Sequence, residues 1–498
     1  MSRLVTVHDP ARMTSEAFAA VLRPRDDIVG ETQVTDDTFE LRHGPFSTYE
    51  RRLEHRDGKV IERIDYRLAI PWFAWAFALL VRRALRYHRS GPSQPWWAPG
   101  QRLDARASTV MGNLAAAALL GGFLANTLSE VLTFAADEFD LSRTDQGVAS
   151  AVVRIGPILA IGLVTIADRR GRRRIAILAT VGGCLASLLA AAAPSAELFV
   201  ACQVVMRTFG AALATTVLVY AVEEMPAGAR AYALSVLGMA SALGAGMVLW
   251  VLPLADLGER SWRLVLLVPI VLLPLGWSFR KHLPESRWFD PDAERPPLRD
   301  HRSKLAGLML LSFVFQIYLS PIDQFRSEYL RDERGFEAWQ ITLFVTTTVT
   351  PGGLGLLIAG RMADAFGRKR IIVAATVIGL GCLTLFFNTA GVAMWFLALT
   401  AAVVSSGLLP ALGVYRGELF PTRIRTQAAG WVTLAGVSGS ITGLLAVGWL
   451  GDRWDSLGSV IAVAWIGPLL GAVFAWWWLP ETTGRRLDEL NPDDHTSV

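Results

Sequence analysis

Cysteine is nearly absent from this chain: Cys184, Cys202 and Cys382 are the only three in 498 residues, and none has CxxC or Cys/His spacing. A disulfide framework and a zinc site are thereby excluded, and the three read as helix-packing residues. Charge is scarce as well, with 18% Asp, Glu, Lys and Arg against 52% hydrophobic residues. Such a chain does not close around one soluble core, and its apolar residues arrive in long blocks. There is no Gly-x-x-x-x-Gly-Lys-Ser/Thr loop to cradle the phosphates of ATP, and no nucleophile elbow, HExxH or haem motif. Neither ATP-driven pumping nor an enzyme activity is therefore expected, and no cofactor or metal is implied. The net charge of +4 is small for this length, so nucleic acid is not expected as a partner. No charged segment followed by a short apolar run opens the chain, which argues against a secretory signal.

What is present is a series of apolar blocks, each long enough for a hydrocarbon core that takes about 20 residues to cross. Twelve are expected to span, at about 108–136, 144–167, 174–193, 197–222, 231–254 and 262–279, then 304–322, 338–360, 371–389, 392–415, 427–450 and 458–479. Alternate loops, at 168–174, 223–230, 280–304, 361–370 and 416–425, hold twenty Lys and Arg, while the facing loops hold seven. The positive-inside rule puts the richer set, and with it both termini, in the cytoplasm of a plasma or inner membrane.

The chain also repeats itself. Asp168-Arg-Arg-Gly-Arg-Arg recurs 196 residues later as Asp364-Ala-Phe-Gly-Arg-Lys, and Pro284-Glu-Ser recurs as Pro480-Glu-Thr at the same offset. Tyr220, Glu223, Pro226 and Arg230 recur 195 later as Tyr415, Glu418, Pro421 and Arg425. Three unlike motifs at one offset imply two parallel six-helix repeats, related by an axis along the membrane normal. The expected units are a 1–106 extension, bundles at 107–280 and 304–480, a central loop at 281–303 and a tail at 481–498.

On these motifs the chain resembles the major facilitator superfamily, in the branch of sugar porters and organic-ion transporters. The resemblance covers about residues 108–490 and departs from the family pattern at Val164, where Gly is usual, and at Ala365, where a basic residue is usual. It implies an all-α membrane protein of twelve transmembrane helices, working by alternating access without a cofactor. It also implies a gate at the cytoplasmic ends, formed by Asp168, Arg169, Gly171 and Arg172 with Asp364, Gly367 and Arg368. Glu223, Arg230, Glu418 and Arg425 lie at matching depths as partners. Gly171 and Gly367 suit the tight link between helices, and the two aspartates are expected to accept hydrogen bonds from arginines of neighbouring helices.

Ionisable residues inside spans point to a solute path, because lipid tolerates them poorly. Arg154 and Arg207 lie about ten residues from the outer ends of their helices, or roughly 15 Å deep. Glu130 is the acid expected to pair with one of them or to carry a proton, and Asn126, Gln316 and Tyr318 are candidate polar contacts. All seven histidines fall outside the spans, against a histidine relay. The contacts usual in sugar porters are missing: one Gln (Gln316) and no Asn remain in the seventh span, and Gly413 stands where a stacking Trp is usual. A secondary transporter of a small organic acid, coupled to protons, is the leading expectation. A sugar or drug transporter on the same scaffold, and a ligand sensor that does not transport, are the alternatives.

The first 106 residues exceed what twelve helices need. Phe46–His55 and Lys59–Leu68 read as strands around Arg56-Asp57-Gly58, a hairpin signal, with Glu62 breaking an otherwise apolar face. Residues 68–81 form a fourteen-residue apolar run, suited to an interfacial segment, and residues 67–106 hold seven arginines and one acid. A small α+β module on the membrane surface is expected.

Overall fold

The computed structural model describes residues 2–87, 94–95, 97–141, 145, 148–149, 152–289, 298–336, 338–454 and 456–491. The chain begins with a five-stranded antiparallel sheet, of order β1-β5-β4-β3-β2. Its strands are β1 Ser2–His8, β2 Gly30–Thr35, β3 Thr38–His43, β4 Phe46–Arg56 and β5 Lys59–Leu68. Asp57 and Gly58 both take positive φ (53° and 74°), as a two-residue hairpin turn with the twist of its strands requires. Val60, Glu62, Ile64 and Tyr66 all face inward from β5. Glu62 breaks the apolar alternation because it belongs to a buried ion cluster. Arg51, stacked 3.9 Å over the Phe39 ring, pairs with Glu31 at 2.7 Å and with Glu62 at 3.5 Å. The Tyr49 hydroxyl donates to Glu31 at 2.6 Å, and its burial, with that carboxylate beside it, pushes its pKa well above the usual tyrosine value.

Two helices cover the sheet. Helix α1 (Ser15–Leu22) places Val21 against Phe39, Leu53 and Val60. Helix α2 (Ala74–Arg86) places Val81 and Leu85 against Phe46, Tyr49 and Ile64. Arg25 donates to the carbonyls of Leu85 (2.7 Å) and Ala84 (3.0 Å) and so closes the C-terminus of α2. The other side of α2 exposes Trp75 and Leu79. At 13 residues α2 is about 20 Å long, too short for a span and suited to lying in the interface.

The membrane body follows: α3 Ala105–Glu138, α4 Gly156–Arg170, α5 Arg172–Ala191, α6 Ala196–Glu224, α7 Arg230–Val251 and α8 Arg263–His282. The second half contains α9 Arg302–Glu328, α10 Leu343–Phe366, α11 Arg368–Phe386, α12 Val392–Glu418, α13 Arg425–Trp454 and α14 Leu457–Trp478. Among the described residues eleven helices are long and apolar enough to cross a bilayer. The remaining expected span, 144–167, lies partly outside the described residues, and its described helix is α4. Breaks in α10 at Val349–Pro351 and in α8 over Val268–Leu272 follow prolines, which remove a helical N–H.

Close backbone contact welds each half. Gly244 of α7 lies against the Leu119 carbonyl of α3, and Gly439 of α13, 195 residues on, lies against the Phe313 carbonyl of α9. Only glycine leaves room for such an approach. The 34-residue α3 also anchors the module: Thr109 donates to the Ala69 carbonyl (3.0 Å), Trp72 donates to Asn113 (3.2 Å), and Gly112 receives Pro71.

The buried Arg51 cluster generates a prediction. Arg51→Ala removes the cation paired with Glu31 and leaves Glu62 to its contact with His8 at 3.0 Å, at a cost of about 3–5 kcal/mol to the sheet. Hydrogen exchange on the full chain is expected to show lost protection across β4 and β5 with α3–α14 unchanged; full protection in the variant contradicts the assignment.

Candidate functional site

Each half ends its second helix in a tight turn, Gly171 (φ 99°) or Gly367 (φ 102°), before the next helix starts. The carboxylate that follows the sixth helix of that half covers the new N-terminus. Glu285 accepts from the backbone N–H of Arg172 at 2.9 Å, and Glu481 accepts from that of Arg368 at 3.2 Å. Neither carboxylate was singled out from the sequence, although both lie in the Pro-Glu repeat.

The two aspartates reach across to the opposite half. Asp168 accepts from the backbone N–H groups of Thr426 (3.1 Å) and Gln427 (2.7 Å), in the first turn of α13. Asp364 accepts from those of Ala231 (3.2 Å) and Tyr232 (2.9 Å), in the first turn of α7. A carboxylate there satisfies N–H groups that have no intrahelical partner and meets the positive end of the helix dipole. This corrects the expectation that arginines of neighbouring helices would be the donors. The arginine beside each aspartate comes from its own motif, Arg172 at 3.1 Å from Asp168 and Arg368 at 3.7 Å from Asp364.

Ion pairs across the halves surround these caps. Glu223 pairs with Arg172 of its own half at 3.1 Å and with Arg425 of the other at 2.8 Å. Glu418 pairs with Arg368 of its own half and, at 2.6 Å, with Arg230 of the other. Arg172 also donates to the Thr422 carbonyl across the boundary. All of these side chains are buried, and this arginine-rich face is closed. Arg169 is exposed and joins none of these contacts among the described residues.

Above the closed face lies a cavity of about 330 Å³ between the halves. Four helices supply most of its wall through stripes at i, i+3, i+4 and i+7 or part of one: Leu234, Leu237, Gly238 and Ser241 from α7, Ser312, Phe315, Gln316 and Leu319 from α9, Leu409, Leu412, Gly413 and Arg416 from α12, and Ala214, Val217 and Leu218 from α6. Gln316 is the one expected pathway residue in this wall. Arg416 is the cation there, its Nη2 3.5 Å from Ser312 Oγ, with no carboxylate paired to it among the described residues. Read as a loop residue, Arg416 was missed. Its place three residues after Gly413, on the stripe through Leu409, was the available signal.

The other expected pathway residues lie elsewhere. Arg207 donates to the Ala125 carbonyl of α3 and packs over Gly156 of α4, so it joins helices of the first half and does not line the cavity. Arg154 is exposed in a turn before α4. Glu130 is half-buried on α3 and pairs with neither arginine among the described residues. Asn126 returns its amide to the Gly122 carbonyl at 2.8 Å. Tyr318 is buried and bonds Thr384 (2.6 Å) and the Leu380 carbonyl (3.0 Å), which makes it a helix-packing group.

Comparison with known proteins agrees with this geometry. The family model described as Major Facilitator Superfamily matches residues 114–345 and 308–494. The glucose transporter GlcP of Staphylococcus epidermidis is 25% identical over 75% of this chain and 94% of its own length. The gallate transporter of Pseudomonas putida is 27% identical over 66% of this chain and 80% of its own. Among solved structures, the proton:xylose symporter XylE superposes with a TM-score of 0.66 at 18% identity, over 78% of this chain and 99% of that one.

The reciprocal caps predict how the closed face responds to substitution. Asp168→Asn or Asp364→Asn weakens two charge-assisted hydrogen bonds, each worth about 1.5–3 kcal/mol, and shifts the face toward opening by roughly tenfold or more. Spin-label distances across the face are expected to broaden toward longer values in both variants, and an unchanged distribution contradicts the account.

Proposed function

The chain belongs to the major facilitator superfamily and is a secondary transporter, and we propose that its solute is a small organic acid carried together with protons. The observation that supports this reading most is Arg416. A guanidinium facing a small cavity, with no carboxylate paired to it among the described residues, offers a planar pair of donors to an anionic solute. Ser312, Gln316 and Ser241 in the same wall add neutral hydrogen-bonding groups. The gallate transporter among the relatives moves a carboxylate, which favours the same class. We take the arginine-rich face as cytoplasmic on the loop-charge asymmetry, in a plasma or inner membrane with both termini inside. The caps of Asp168 and Asp364, with the ion pairs of Glu223 and Glu418, then form the gate of an inward-closed state. Glu130, the half-buried acid of α3, is the proposed proton carrier.

A sugar solute is the second reading, favoured by the likeness to the glucose transporter. Against it, Gly413 offers no ring on which a sugar could stack, and the Arg416 guanidinium beside it gains more from a carboxylate than from a neutral hydroxyl.

Uptake into proteoliposomes tests both. With an inward proton gradient, aromatic or aliphatic carboxylates are expected to accumulate while glucose and xylose do not; the opposite pattern overturns the organic-acid reading, and binding without flux favours a sensor. Arg416→Ala is expected to raise the KM for the carboxylate by roughly tenfold to a hundredfold, the value of one hydrogen bond to a charged group, with Arg416→Lys recovering part of it. Glu130→Gln is expected to abolish accumulation driven by the pH gradient while solute exchange persists. Gradient-driven accumulation at the wild-type level in that variant removes Glu130 from the proton path.

A further inference from the structure

A second cavity lies where the N-terminal module meets the membrane body and shares only Ser406 of its lining with the central cavity. It measures about 780 Å³, within the range of about 300–1,000 Å³ common for ligand sites. Phe73, Phe77 and Val81 of the module form one wall, Met111 and Ala115 of α3 a second, and α7 and α10 the rest. On α7 the lining runs from Tyr232 to Leu243, eleven residues or about 16 Å along the helix axis. The groove thus starts at the arginine-rich face and extends toward the middle of the membrane. At its deep end Leu243 and Leu354 are exposed, so it opens to the lipid side.

Polarity changes along that length. The polar lining groups Gln94, Arg102 and Ser108 sit near the arginine-rich face, and the deep end is apolar apart from Thr350 and Ser406. Arg102 Nη2 pairs with Asp26 at 2.8 Å, but among the described residues Arg102 Nε and Ser108 Oγ are buried without a hydrogen bond, and Ser108 as a whole is 2% exposed. Buried donors left unmade cost free energy that a ligand acceptor recovers. Around them, Arg82, Arg83 and Arg86 of α2 are exposed, and residues 67–106 carry a net charge of +6.

We propose that this groove holds one acyl chain of an anionic phospholipid from the adjacent leaflet, with its phosphate or ester oxygens on Arg102 and Ser108. A chain lying beside Phe77, Met111 and Met239 removes apolar surface from water, and the excess of arginine selects a negative headgroup. The site is sensitive to the state of the protein. Its walls α7 and α10 belong to opposite halves and are held together by Asp364 on Tyr232. The Tyr232 hydroxyl also bonds the Trp97 carbonyl at 2.9 Å, and Arg361 of α10 holds the carbonyls of Pro95 and Ala98. Opening of the arginine-rich face draws these walls apart, so a seated lipid stabilises the closed face.

The test uses the full chain in vesicles containing phosphatidylglycerol with a photoactivatable diazirine in one acyl chain. Cross-links are expected on residues 73–81, 108–115 and 236–243 above the level on lipid-facing α14 around the exposed Trp477. Ala76→Trp in the module wall and Val236→Trp in the α7 wall are each expected to abolish the groove cross-links and leave those on α14. Cross-links spread evenly over lipid-facing helices, or groove labelling that survives both variants, overturn the proposal. Equal labelling by a diazirine phosphatidylcholine overturns the anionic assignment. Displacement of the label by a carboxylate or sugar solute makes the groove part of the solute path and also overturns it.

Discussion

Everything at the closed face depends on one interaction made twice: a carboxylate at the end of one half's second helix sits on the first free N–H groups of a helix in the other half. Asp168 binds Thr426 and Gln427, and Asp364 binds Ala231 and Tyr232, with partners offset by 195 residues. Charge meets dipole in both places, and neither donor has an intrahelical alternative. These bonds also span the boundary that must move, so the strongest local contacts are those that opening has to break. The arginines serve them from behind. Arg172 and Arg368 neutralise the buried aspartates and carry Glu223 and Glu418, which in turn hold Arg425 and Arg230 of the opposite half.

Close packing beside the caps explains a departure that the family pattern left open. Val164 stands where the first motif usually has Gly. In the structure the place that a Cβ on Gly430 of α13 would occupy is 2.9 Å from the Val164 side chain, and at the symmetry-related contact Gly360 of α10 lies against Ser235 of α7. Val164 and Gly360 correspond, as do Ser235 and Gly430. The missing space has moved to the partner helix, so each cross-half contact still pairs one glycine with one side chain. The helices approach equally closely with the roles exchanged.

How far the structure was legible varied with the kind of signal. Long apolar blocks and three motifs at one offset were sufficient for the doubled helical body, because hydrophobic length and repeat spacing survive in a linear reading. The hairpin was equally clear from Asp57-Gly58. Glu62 looked like a flaw in β5 because its partner Arg51 lies on another strand, and burial of an ion pair is a tertiary fact. The solute path was the least legible. Arg207 has the depth of a cavity residue, but its direction around α6 sends it to the Ala125 carbonyl, while Arg416, two residues before a gate carboxylate, looked like a loop charge. Depth along a helix is readable from hydropathy; the side of the helix that faces a cavity depends on packing partners.

Arg416 of the cavity wall lies close along α12 to a cross-half ion pair. It is separated from Glu418 by Gly417 alone, on the last turn of α12, where Gly417 lies against Val222 of the other half. Glu418 holds Arg230 across the boundary at 2.6 Å. On the organic-acid reading proposed above, a solute carboxylate held by the Arg416 guanidinium acts on the same turn that carries the cross-half ion pair. Binding of an anion and release of the closed face then act on one rigid element, and differential affinity for the two states needs no longer path than a single helical turn. On that reading, the solute contact and the gate contact thus meet on one turn of α12.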